Sequence, residues 1–162
     1  MQPTINGEGT GANLERNHTM QVKDGNKIYA ELERAKRRYD QHRTIFEGLR
    51  EHARYLATDD FQLKGISLMV DGAAFCTSFL DCTAQIRFLY DRKNDAGIVV
   101  IEDPSMVPAA ELWRFTFNSH GIVTSGLEPA ERGDRDPFDL NHSGDSRTIV
   151  LAAIESALDR VH

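Results

Sequence analysis

The fourteen residues from Asp134 to Arg147, DRDPFDLNHSGDSR, hold four aspartates, an asparagine, a histidine and two serines. Side chains of these kinds, set close together, can ligate a hard cation or run acid–base chemistry. A calcium loop of the EF-hand kind needs oxygen ligands at alternating positions, a glycine at the sixth and a bidentate glutamate at the twelfth. Counted from Asp134, the fifth position is Phe138, the sixth Asp139 and the twelfth Asp145. The turn glycine and the closing glutamate are both missing. Pro137 and Gly144 mark loop geometry, and Asp145 or Ser146 is placed to cap a following helix, where negative charge also suits the macrodipole. The segment reads as a polar connection and a cap, with no metal and no cofactor expected.

The remaining reactive side chains offer no catalytic set. His120 sits in NSHG, a composition that turns favour on their own account, and its neighbour Ser119 would point away from it. His42 and His52 fall among Arg43, Arg50 and Arg54, where a solvated or snorkelling helix face explains them. Cys76 lies between Phe75 and Thr77, and Cys82 follows Asp81, so neither has the cationic neighbour that activates a thiol. Six residues apart on one straight strand, the two cysteines would stand about 20 Å apart, too far to bridge. Free thiols predict a cytoplasmic protein. No P-loop, GxGxxG, GxSxG or HExxH pattern occurs, so no catalytic residues are assigned.

Charge narrows the partners. The 162 residues carry a formal net charge of −6, which argues against whole-chain attraction to nucleic acid or an anionic membrane. Residues 27–57 are nevertheless basic, with eight Lys/Arg against five Asp/Glu, and residues 128–146 are acidic, with six acids against two bases. The RAKRRYDQHR segment, 34–43, is the one candidate for nucleic-acid contact. No apolar run approaches the ~18 residues of a membrane span, and the N-terminus lacks the basic and apolar regions of a secretory signal.

These groups must be held by a small number of elements. Residues 1–26 are poor in apolar side chains and contain Gly7, Gly9, Gly11 and Gly25; they predict a flexible tail ahead of a single domain over 27–162. A long helix follows, capped by Asp24 or Asn26. Its apolar stripe, Ile28, Leu32, Ala35, Tyr39, His42, Phe46, Leu49, Ala53 and Leu56, steps by fours and threes. That spacing suits a coiled coil. Tyr29, Ile45 and Tyr55 widen the stripe, and His42 and Gly48 weaken it, so a helix covering a sheet is favoured. At roughly 45 Å such a helix exceeds what a small sheet needs, leaving a length to pack on another subunit.

The period then changes to two. An Asp71-Gly72 turn predicts a hairpin pairing Val70 with Ala73, Leu68 with Phe75 and Ile66 with Thr77, with a bulge at Gly65 where Phe61 and Leu63 fall out of parity. TAQIRFLYD alternates with Ala84, Ile86, Phe88 and Tyr90 inward; IVVIE is an apolar strand; DPSMVPAAEL is a connection with room for one helical turn; and Trp113, Phe115 and Phe117 share one face ahead of a turn at Asn118–Gly121. A last helix carries Val150, Ile154, Ala157, Leu158 and Val161. The expected fold is α+β: both helices on one face of a five- to six-stranded antiparallel meander sheet.

The opposite sheet face should carry Ser67, Met69, Ala74, Cys76, Ser78, Gln85, Arg87, Leu89, Arg114 and Thr116. Methionine, leucine and two arginines with few acids is an interface-like composition. Met69, Arg87, Leu89, Arg114 and Thr116 are the expected contacts for another protein, and the function expected is a non-catalytic, chaperone-like or inhibitor/adaptor-like binding module, acting through this sheet face and the long helix as a homodimer. The alternative is an enzyme or small-ligand binder with a pocket between the sheet and the long helix.

Overall fold

The computed structural model describes residues 19–130 and 136–161. Residues 1–18 of the expected tail and 131–135 of the acidic segment 128–146 lie outside the described residues, as does the side chain of Val161 in the expected stripe of the last helix. The chain divides into two compact units, 1–33 and 34–162, with the boundary inside the first helix. That helix, α1, spans Gly25–Arg54 and runs into a single 3-10 turn, Tyr55–Ala57. Asp24 is its N-cap: Oδ1 accepts from the Asn26 N–H at 2.9 Å, and the carbonyl accepts from Ile28. In the first unit Lys23 pairs with Glu31 at 3.0 Å, and Tyr29 and Leu32 are exposed.

The second unit holds six strands in the order of the chain, every neighbour antiparallel. They are β1 (Ser67–Asp71), β2 (Ala74–Phe79), β3 (Cys82–Asp91), β4 (Ala96–Asp103), β5 (Ala110–Phe117) and β6 (Val123–Ser125). The closing helix, α2, is Ser143–Val161. Alternate residues of the sheet (Phe75, Ala84, Ile86, Phe88, Val99, Ile101, Phe115 and Phe117) are buried in one cluster with Phe46, Leu49 and Ala53 of α1 and Ile149, Val150, Ala153 and Ile154 of α2. Both helices therefore cover the same face of a meander sheet.

His42 departs from its expected solvated position. It is completely buried, with its ring 5.1 Å from Tyr90 and 5.8 Å from Phe117. Nδ1 lies 2.7 Å from the Arg38 carbonyl, and Nε2 has no partner. The heptad position, not the charge of its neighbours, decides where this side chain goes. His52 is half-buried, with Nδ1 3.2 Å from Ser146 Oγ.

The first hairpin turns one residue later than expected. Gly72 and Ala73 form the loop, closed by Asp71 opposite Ala74, so Val70 faces Phe75 and Leu68 faces Thr77. Gly72 adopts φ +57°, the left-handed conformation that hairpin loops of this length require. The pairing slides by two residues, so each side chain keeps its face. Gly65 lies ahead of β1 rather than in a bulge; the irregular registers are at Ile101/Glu102 and Thr116/Phe117. The Pro104–Pro108 connection makes turns and bends without a helical turn, and its Val107–Pro108 bond is cis. Cys76 and Cys82 lie on two strands rather than one, and both are free.

Tyr90, near the end of β3, donates from Oη to Asp95 Oδ1 at 2.6 Å. Burial first, then that hydrogen bond and the Asp95 charge, push its phenol up to about 12. The neutral phenol is thus favoured by folding, and the stability it carries is complete below the ordinary value of 10.0 and lost as pH rises through about 12. Ultraviolet titration of the folded chain should show a late phase from Tyr90. Tyr90→Phe should remove that phase and Asp95→Asn should bring it earlier; a late phase surviving Tyr90→Phe refutes the assignment.

Candidate functional site: the outer sheet face

On the face away from the helices, cross-strand register sets side chains in rows. One row runs Ala74, Arg87, Val100, Arg114; the next runs Leu89, Ile98, Thr116, Ser125; a third runs Met69, Cys76, Gln85, Glu102, Glu111. Arg87, Leu89, Arg114 and Thr116 thus form one block over β3 to β5. Met69 stands apart on β1, two strands from Arg87 and roughly 10 Å across the sheet.

The two arginines are engaged. Arg87 Nη2 donates to Glu102 Oε1 at 2.6 Å, and Arg114 forks onto Glu111 through Nε and Nη2. The hydrogen bonds from Arg114, with the charges of Arg114 and Arg87, hold the Glu111 carboxyl below its ordinary value; Glu111 in turn raises Arg114. Between the arginines lies Val100, only 1 % exposed although it points away from the helices. Long aliphatic stems on either side account for that cover. Thr116 Oγ1 shares hydrogen bonds with Thr124 and Ser125. Around this paired block, Met69 is 70 % exposed and Leu89 38 %.

Glu102, Glu111, Ile98 and Val100 are absent from the face that sequence alternation predicts. IVVIE is apolar on both faces, which hides its parity, and the irregular register at Ile101/Glu102 returns Glu111 to this side of the sheet. The face is therefore less cationic than expected.

The other polar concentration precedes α2. A cavity of about 470 Å³ is lined by Ile122, Asp136, Pro137, Asp139, His142 and Asp145. Much of its polarity serves the loop itself. Asp139 Oδ1 accepts from the Asn141 N–H at 2.9 Å, and Asp145 Oδ2 accepts from the Asp139 N–H at 3.0 Å. His142, not Asp145 or Ser146, occupies the cap position: its Nδ1 accepts from the Asp145 N–H and its carbonyl from Ser146. Ser146 Oγ instead donates inward to the Leu140 carbonyl. Among the described residues, no group of three or more His, Cys, Asp or Glu side chains is arranged to hold a metal ion.

His120 sits in the expected turn, where Asn118 Oδ1 accepts its backbone N–H and Gly121 takes φ +82°. The Cys76 thiol is pushed up by burial and then by Asp71, which disfavours the nucleophilic thiolate. Between α1 and the sheet, where a ligand pocket is the alternative expectation, Phe46 packs 5.8 Å from Phe75 and 5.6 Å from Phe88. Among the described residues, no helix is long and apolar enough to cross a membrane. No protein-family model, curated protein or solved structure matches the chain.

Proposed function

We propose that this chain is a non-catalytic protein-binding module, chaperone-like or inhibitor-like, working as a cytoplasmic homodimer and offering its outer sheet face to a protein partner. The observation that carries the reading is an outer face that exposes Leu89 beside, and Met69 two strands from, a self-neutralised block of Arg87–Glu102 and Arg114–Glu111 pairs. Charges already paired on a sheet lose little freedom when a partner covers them, and exposed apolar side chains supply the contact that removes water. The basic segment 34–43 is a weaker candidate for nucleic acid, because Lys36 pairs with Asp40 and Arg43 with Glu47.

The test is capture from an extract of the native host, with wild-type chain and Leu89→Glu as parallel baits. A partner held by the wild type should bind Leu89→Glu at least about tenfold more weakly, with the melting temperature of the bait unchanged. Equal capture by the two baits refutes the face. The second reading, a small-ligand site, is favoured by the 470 Å³ cavity beside Ile122 and His142. A compound that raises the melting temperature of wild type but not of Ile122→Trp would support that reading.

A further inference from the structure

The two edges of the sheet are unlike. At the β6 edge, the segment leading into α2 returns to pair with the chain: Val123 N–H donates to the Phe138 carbonyl, Leu140 N–H donates to the Gly121 carbonyl, and Ile122 bridges Asp139. At the other edge, β1 pairs with β2 alone among the described residues. Free edges are commonly blunted by a charge, a proline or a bulge. From Ser67 to Val70 β1 has none of these, and Met69 and Val70 are exposed.

The register says which backbone groups are on offer. A two-residue loop is closed by a hydrogen-bonded pair, here Asp71 and Ala74. Antiparallel ladders alternate, so Met69 and Ser67 direct their N–H and C=O groups at β2, while Leu68 and Val70 direct theirs outward. We propose that β1 pairs with β1 of a second copy, antiparallel and centred on Met69, joining two sheets into one. The two-fold axis sets Met69 beside Met69, Leu68 opposite Val70 and Ser67 opposite Asp71. Each outward-directed residue meets the outward-directed residue of the other copy, which completes both backbone pairs. Leu68 and Val70 then meet on the helix side, Met69 meets itself on the outer side, and no charge stands opposite a like charge. The outward-directed groups of SLMV allow this register, and centring it on Met69 sets the Asp71 of each copy opposite an uncharged Ser67.

This specifies the homodimer named above, and sedimentation of the full chain between roughly 1 and 200 μM tests it. The wild type should approach twice the chain mass as concentration rises. Val70→Pro removes an N–H that the β1–β2 ladder does not use, a place where proline is accepted in an edge strand. It should raise the dissociation constant at least about tenfold. Met69→Lys, at an exposed position, should do the same and is read if the proline variant unfolds. Leu89→Glu, inside the sheet, should leave association unchanged. A dimer indifferent to both edge substitutions overturns the proposal and keeps the homodimer. A wild-type monomer at the highest concentration overturns both, leaving the test of the outer face to stand on its own.

Discussion

Phe75→Ala should lower stability by about 3–5 kcal/mol. Phe75 is fully buried, faces Ile86 across the β2–β3 ladder and packs on Phe46 of α1. Removing its ring leaves a hole lined by side chains on both helix and sheet, which cannot close without moving one against the other. Met69→Ala, on the opposite face and mostly exposed, should cost below about 1 kcal/mol in the monomer. Urea midpoints with unchanged slopes decide it. Reversed costs for the two would mean that β1 and β2 present the other face to the helices.

Gly97→Ala should be nearly as damaging, by about 3 kcal/mol, although it adds one methyl group. Gly97 faces Phe117 across the β4–β5 ladder. A Cβ built on Gly97 stands 2.7 Å from Phe117 Cε2 and closer still to Cζ. The Phe117 ring is fully buried and has His42 and Phe88 as ring neighbours, so it has nowhere to retreat. A smaller partner should relieve the clash. Phe117→Leu costs stability by itself, but Gly97→Ala in that background should be at least about 1 kcal/mol less harmful than in wild type. Strict additivity of the two changes would show that the ring does not exclude the methyl group.

Much of the core was legible because two periods carry it. Alternation in β3 and β5 sends Ile86, Phe88, Phe115 and Phe117 inward, and steps of three and four in α1 place Phe46, Leu49 and Ala53 opposite them. Positions where the backbone decides were not legible. Leu80 and Asp81 make the β2–β3 turn with φ of 49° and 63°, a conformation that aspartate tolerates but leucine does not advertise. The strand pairing on either side holds them there. In the same way Asp71-Gly72 is a turn signature, yet the loop forms at Gly72-Ala73. The outer face was half legible: Arg87 and Arg114 follow from parity, but Glu102 ends a strand whose apolar run hides its parity, and Glu111 depends on a register irregularity that alternation cannot reveal. His42 shows charge context failing as a guide, since a residue in the apolar stripe went inside with one ring nitrogen unpaired.

The pairing of Phe138 and Leu140 with the start of β6 has a bearing on polymerisation. A sheet open at both edges is a bifunctional monomer, able to add copies without limit along the hydrogen-bonding direction. Here one end is stoppered by the chain itself, and β6, at three residues, offers a new strand little length. Among the described residues the sheet therefore has one free edge, that of β1. A second copy docked through its own β1 would end the growth, because its far edge is stoppered in the same way.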